Sequence, residues 1–268
     1  MKIELKERTK VMNILESGNL GDKPKASIGL LARYYIEQGK EKNEIITILD
    51  EFLNANLKEY NTVVWSDDLE KVVKNAIKFN KPIVELESVT LTKDEIKAIK
   101  DIPNMVKQKV LFSYIVYYKV LEKMNKATDG WISETYRADV FKESNTGYKG
   151  FKQLDLIREL VELGYMENAK GGLNNSFRLL YIKEETPENP VEMTIDDFRE
   201  LGLQWMKYNG DTKLKHCNLV DKKTGEVYGC EILFKPKSNR QCLCKECAKK
   251  KELEDTAKRV SKYRKNEM

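Results

Sequence analysis

Four of the five cysteines have the spacing of a metal site close to the C-terminus. Cys244 and Cys247 form a C-x-x-C pair at the start of a predicted helix, a geometry that directs both sulfurs toward one ion. Cys217 and Cys230 flank the turn sequence DKKTGE, so a hairpin would bring these two sulfurs together. Four thiolates leave no open position for catalysis. The spacing therefore predicts a structural Zn²⁺ site formed by Cys217, Cys230, Cys244 and Cys247.

The sequence leaves several alternatives to this site open. His216, the only histidine, could replace a cysteine as ligand, and so could Cys242. The cysteines could also be reduced, half-buried side chains without a metal, or the C-x-x-C pair could be a redox site. A redox pair of this kind usually accompanies a βαβ pattern, which the sequence lacks. Because the chain is long and no cysteine precedes Cys217, a disulfide scaffold is disfavoured.

A basic segment surrounds and follows the last cysteines. Residues from Arg240 to Met268 contain ten Lys or Arg and five Asp or Glu, so this tail accounts for the entire net charge of +5. Basic side chains on a helix that a metal holds in place can neutralise phosphates, which makes DNA or RNA the predicted partner. The predicted contacts of the tail helix are Lys249, Lys250, Lys251, Arg259 and Lys262.

The run NRQCLCKECAKKKELEDTAKRVSKYRK resembles the treble-clef and zinc-ribbon modules that are common in proteins of bacteriophages and mobile elements. In those modules a C-x-x-C pair precedes a charged helix, as it does in this run. The resemblance is confined to the C-terminal part of the chain and belongs to no single activity. It implies a phage-type protein whose zinc is structural.

Residues 104–183 contain a second candidate for nucleic-acid binding. The apolar run VKQKVLFSYIVYYKVLEKM predicts a buried central helix, and a short helix, the amphipathic helix KGFKQLDLIRELVELGYMEN, a Gly/Asn loop and the alternating run SFRLLYIK follow it. This order resembles that of a winged helix with GGLNN as the wing, which implies a recognition helix at 149–163 with Phe151 on its buried face. The predicted DNA contacts are Lys149, Lys152, Gln153 and Arg158, with Arg178 in support from the wing.

The rest of the chain predicts helices and a linker. Apolar periodicity indicates a helical N-terminal domain over 1–103, where ARYYIEQGKEKNEIITILDEFL and WSDDLEKVVKNAIK resemble helical modules that accompany phage and plasmid primases. An ordinary helical bundle fits the same pattern. The acidic EETPENP opens a linker and helix over 184–210, and the zinc-binding module with its basic helix occupies 211–268. The predicted fold class is mainly α with α+β parts: a helical bundle, a winged-helix-like unit and a zinc module.

Several classes of function are disfavoured by what the sequence lacks. It contains no G-x-x-x-x-G-K-[ST] motif, no nucleophile with a partner and a single histidine, so we expect no enzyme activity and no small-molecule substrate. No apolar run approaches the ~18 residues of a membrane span. The charged start MKIELKERTK differs from a signal peptide, which predicts a cytoplasmic protein.

The function expected from these features is that of a phage-type nucleic-acid-binding protein in replication or transcription control. The alternative is a phage-encoded inhibitor of a host defence nuclease, of the anti-CRISPR or anti-restriction type, or an adaptor. The near-neutral charge of the chain before Arg240 also fits a protein partner.

Overall fold

The computed structural model describes residues 5–169, 176–220 and 225–266, with side chains as far as Ser261. Within these ranges it contains ten α-helices and four small antiparallel sheets, so the predicted mainly α fold is confirmed. The chain divides into two compact units, Lys2–Glu87 and Ser88–Met268. This division precedes the predicted boundary at 103, and the three regions predicted to follow that boundary share one unit.

The N-terminal unit consists of four helices around an aliphatic core. The core includes Leu31, Ile45, Leu49 and Val73, all of which are fully or almost fully buried and recur at helical spacing in the sequence. The last helix begins where the side chain of Asn61 accepts hydrogen bonds from two backbone N–H groups of the first turn. The four helices are α1 (Glu7–Ser17), α2 (Pro24–Glu37), α3 (Lys42–Asn56) and α4 (Thr62–Phe79).

In the second unit, two strands that are far apart in the sequence pair with each other and hold its parts together. Strand β1 (Val89–Thr92) pairs antiparallel with β5 (Val191–Ile195), and α5 (Lys93–Lys100) directly follows β1. Glu95 in α5 is fully buried, and its carboxylate accepts hydrogen bonds from the N–H groups of Thr92 at 2.8 Å and Lys183 at 3.0 Å. The β1–β5 pair crosses both predicted boundaries, at 103 and 183, and the hydrogen bond between Lys183 and Glu95 crosses the first of them, so these regions belong to one unit.

The predicted buried central helix is present as α6 (Met105–Lys123). Its middle is buried around the whole circumference, as expected from a run that is apolar on every side. The elements that follow are β2 (Trp131–Ser133), α7 (Arg137–Glu143), α8 (Phe151–Glu162), β3 (Met166–Asn168) and β4 (Ser176–Leu179). The strands form one sheet in the order β2-β4-β3. The predicted wing GGLNN lies outside the described residues.

Helix α9 (Leu201–Tyr208) connects this central region to the cysteine-containing segment. Trp205 is fully buried, and its indole N–H donates to Gln108 of α6 at 3.0 Å. Gly202 lies so close to Ser144 that a Cβ atom at this position would be 1.8 Å from the Ser144 carbonyl oxygen. The close approach fixes α9 against the end of α7, and α9 also contacts β9 (Leu233–Phe234) of the cysteine segment.

Candidate metal centre

The structure brings together the four cysteines that the spacing selects. The sulfur atoms of Cys217, Cys230, Cys244 and Cys247 all lie within 4.8 Å of one another, and those of Cys230 and Cys244 are 3.8 Å apart. Four sulfurs around a tetrahedral Zn²⁺, at about 2.3 Å from the ion, would be about 3.8 Å apart. All five cysteines of the chain are free thiols. The donor set and its size therefore fit a metal ion bound by four thiolates.

Two short strand pairs position the first half of the cluster. Strand β6 (Lys215–His216) pairs with β9, and β7 (Leu219–Val220) pairs with β8 (Val227–Tyr228). The predicted hairpin is thus present in its two strands, while its tip at 221–224 lies outside the described residues. The Cys217 N–H donates to Ile232 O at 2.9 Å, and the Glu231 N–H donates to Cys217 O at 3.0 Å. These bonds hold Cys217 beside the segment that carries Cys230.

The C-x-x-C pair lies at the start of α10 (Lys245–Asn266). Cys244 precedes the helix, and its carbonyl accepts the N–H of Ala248 at 2.9 Å. Backbone N–H groups at this helix start point at sulfur atoms: Cys244 N–H donates to Cys217 Sγ at 3.1 Å, and Cys247 N–H donates to Cys244 Sγ at 3.5 Å. The helix start therefore both carries two ligands and supplies donors that stabilise negative charge on the sulfurs.

The thiols of the cluster differ in how easily they lose a proton. Burial alone would raise the pKa of the Cys217 thiol, but hydrogen bonds from the backbone N–H groups of Cys244 and Cys230 and from the side chains of Cys244 and Cys247 together lower that pKa. Burial raises the pKa of the thiols of Cys244 and Cys247. Protein donors thus favour the thiolate of Cys217, whereas the thiolates of Cys244 and Cys247 would need a cation among the sulfurs to stabilise them.

The two alternative ligands lie outside the cluster. The ammonium of Lys207 can only donate, so it donates to Nε2 of His216 at 2.7 Å, and the ring donates from Nδ1 to Glu231 O at 3.0 Å. Both ring nitrogens are therefore occupied by protein groups. The sulfur of Cys242 is 3.5 Å from Arg240 O. Neither residue belongs to the four-sulfur group.

Two residues around the cluster were not found from the sequence. Gly229 has a φ of 141°, and a Cβ atom there would be 2.1 Å from Cys217 O, so a side chain would separate the two halves of the site. The guanidinium of Arg199 donates to Cys230 O at 3.2 Å and is held by Asp197 at 2.8 Å. The position of Gly229 directly before the ligand Cys230 could have indicated a close backbone approach from the sequence. Nothing in the sequence connects Arg199 to Cys230.

The predicted nucleic-acid contacts of the tail are in different environments along α10. Lys249 and Lys250 are exposed, and the structure gives them no protein partner in the described part of the chain. Lys251 is half-buried, with its ammonium 3.7 Å from the centre of the Tyr228 ring. Arg259 is exposed and donates to a backbone carbonyl of its own helix at 3.3 Å. The side chain of Lys262 lies outside the described residues.

The predicted contacts of the central region need one correction. Gln153 was expected on the exposed face of α8 and Phe151 on the buried face, but Gln153 is buried and Phe151 is 84% exposed. The reason is the phase of the helix. Gln153 lies at helical spacing from the buried Ile157 and Leu160, whereas Phe151 is on the opposite side of α8.

The remaining contacts predicted for this region are exposed to different degrees. Lys149 and Lys152 are exposed near the N-terminal end of α8. Arg158 is exposed and pairs with Asp155 at 3.3 Å. Arg178 donates to Asp129 O at 2.8 Å and pairs with the carboxylate of Glu167 at 3.2 Å. Lys149 and Lys152 are therefore the cationic groups of this set for which the described residues provide no ion pair.

Comparisons with known proteins assign no family to the chain. No protein-family model matches the sequence, and no curated protein or solved structure is significantly similar to it. None of the helices in the described residues has the length and apolar character needed to cross a membrane.

Proposed function

We propose that the protein binds nucleic acid, with a structural Zn²⁺ in the four-cysteine cluster holding a basic helix that contacts phosphates. The observation that carries the proposal is the attachment of α10. Its first turn is part of the cluster, whereas from Glu252 to Ser261 every side chain except the half-buried Asp255 is exposed. The helix is therefore fixed at one end and accessible along most of its length.

The charge of α10 supports a polyanionic partner. The net charge of the whole chain resides in the tail from Arg240 to Met268. The 22 residues of α10 span about 33 Å at about 1.5 Å per residue, which is close to the length of one turn of B-DNA, roughly 34 Å. A basic helix of this length can follow several successive phosphates, and each contact releases counterions.

Zinc is the proposed ion because of the chemistry of the ligands. Four convergent thiolates in a compact cluster select zinc or an iron–sulfur centre among the common biological metals. With four protein ligands the ion has no open coordination position, so the proposed role is structural. In this role Cys217 and Cys230 hold the strand pairs, Cys244 and Cys247 hold the helix, and the ion joins the two halves.

A salt titration of DNA binding tests the proposal. We expect the protein to bind a labelled duplex at about 50 mM salt, with an affinity that falls steeply as salt rises. The double variant K249A/K250A should reduce the slope of log Kd against log salt by about two, because each neutralised phosphate contributes about 0.9 to that slope. The matched control K71A/K74A removes two exposed lysines of α4 and should leave the slope unchanged. Wild-type protein that binds neither DNA nor RNA at low salt would contradict the proposal.

One observation favours the second candidate function, an inhibitor or adaptor that binds another protein. Leu253 and Val260 are 62% and 45% exposed, and together with Ala257 they lie on one face of α10 at helical spacing. An exposed apolar face suits a protein groove better than a phosphate backbone. If this candidate is correct, the variant L253A/V260A should lose its partner while K249A/K250A retains it, as measured by co-purification with tagged protein.

A further inference from the structure

Two exposed aromatic side chains lie at the N-terminal end of α8, beside two lysines. Phe151 is 84% exposed and Tyr148 is 37% exposed. Lys149 and Lys152 alternate with them in the sequence and are exposed as well. An aromatic ring that is open to solvent loses the benefit of burial, so this group of four side chains has no role in the core.

The backbone of this segment is held in a defined shape. The buried side chain of Gln153 donates from Nε2 to Tyr148 O at 2.8 Å, and the Gln153 N–H donates to Gly150 O at 3.1 Å. Gly147 and Gly150 have φ values of 72° and 55°, a region that favours glycine. The hydrogen bonds of Gln153 therefore hold the backbone of residues 148–150 in place, and the two aromatic side chains project from this fixed backbone.

The charge along α8 restricts how a nucleic acid can approach it. Residues 146–152 contain two lysines and no acidic residue. Further along the exposed face, Asp155, Glu159 and Glu162 follow. Arg158 pairs with Asp155 and Lys107 of α6 pairs with Glu159, so these five side chains keep a net negative charge. Acidic groups at these positions repel phosphates, so inserting the whole helix into a major groove is disfavoured. The first turn of α8 and the loop before it remain accessible to a polyanion.

We propose that Tyr148 and Phe151 stack on unpaired bases of a single-stranded nucleic acid, with Lys149 and Lys152 contacting the neighbouring phosphates. The inference rests on the proposed nucleic-acid binding and names the form of nucleic acid that this site selects. Faces of bases are accessible to a side-chain ring when the strand is unpaired, and stacking with nearby cations is how proteins bind single strands without reading sequence. A fully paired duplex offers the site no free base face.

Binding of two labelled probes to the full-length protein tests the inference. The probes are a 15-nucleotide single strand that contains one 2-aminopurine and the same sequence as a paired duplex. We expect F151A to weaken binding of the single strand by about five- to a hundredfold, to reduce the quenching of 2-aminopurine, and to change duplex affinity by less than twofold. F151W should retain both affinity and quenching because its ring can stack.

The control variant is L163A, which removes an exposed apolar side chain at the other end of α8, where Leu163 is 46% exposed. It should bind the single strand as tightly as wild type. Wild-type affinity and quenching in both F151A and Y148A would overturn the stacking inference. If K249A/K250A nevertheless loses affinity in that case, the proposed function stands and this inference alone fails. If wild-type protein binds neither probe, both fail.

Discussion

Replacement of Cys217 by serine distinguishes a metal centre from a group of packed thiols. Cys217 is fully buried, and its sulfur accepts the N–H of Cys244 at 3.1 Å. A serine hydroxyl fits the space and can accept the same hydrogen bond, but it does not ionise at neutral pH and is a poor zinc ligand. The variant C217S therefore removes a ligand while it keeps most of the packing.

The size of the expected effect follows from the composition of the module. Among its buried apolar side chains, Leu233, Phe234 and Leu243 are the ones without sulfur, and burying each is worth about 1.5–3 kcal/mol. A structural zinc contributes about 10–16 kcal/mol in small modules. Shared equally among four ligands, this is about 2.5–4 kcal/mol for each, or about two to three orders of magnitude in the zinc Kd. A changed hydrogen bond alone accounts for about 0.5–1.5 kcal/mol.

Competition with a chromophoric zinc indicator measures the affinity directly. We expect wild type to bind one zinc ion per chain, and C217S to bind it about 100- to 1000-fold more weakly. The control C242S removes the cysteine whose sulfur lies outside the cluster, so it should match wild type. Limited proteolysis should show faster cleavage of residues 211–268 in C217S, while α6 stays protected. Equal zinc affinity in C217S and C242S, or a metal-free wild type whose C-terminal module resists protease, would refute the metal centre.

Two further predictions concern the packing of α9. Gly202→Ala places a Cβ atom 1.8 Å from the backbone oxygen of Ser144, so we expect a loss of at least about 1–3 kcal/mol, measured as a lower urea midpoint. Burial, followed by the charge of Glu143, raises the pKa of Glu200, so the ionised form of Glu200 destabilises the fold above that pKa. Glu200→Gln should therefore raise the Tm at pH 7. The gain should disappear below about pH 4, where the wild-type carboxyl is protonated in both the folded and unfolded states; a gain that persists there would contradict the electrostatic cause.

The helical character of the chain and the ligands of the candidate metal site could be predicted because both depend on local spacing. The apolar run from Met105 to Lys123 has no polar face, which is typical of a buried helix and is what α6 forms. The C-x-x-C pair of Cys244 and Cys247 needs one turn of backbone to bring both sulfurs to one side. A hairpin between Cys217 and Cys230 was sufficient to predict that their sulfur atoms would lie close together.

The orientation of α8 could not be predicted in the same way. Its sequence has apolar residues on more than one side, so periodicity alone allowed a buried face with Phe151 or one with Gln153. The difference between these two faces is a rotation of the helix about its own axis. Contacts of α8 with α6 and β3 decide that rotation. They bury the amide of Gln153 against the loop at Tyr148 and leave the ring of Phe151 in solvent.

The sequence by itself therefore determined the helical character of the chain and which four sulfurs could bind a metal, because helix formation and the two cysteine pairs depend on residues close together in the chain. The tertiary structure decided the union of the regions after Ser88 into one unit, through the pairing of β1 with β5. It also decided that the backbone at Gly229 lies against the Cys217 carbonyl and that the side chain of Phe151 is exposed. These features depend on contacts between distant segments, and the free energy of such contacts leaves no periodic pattern in the sequence.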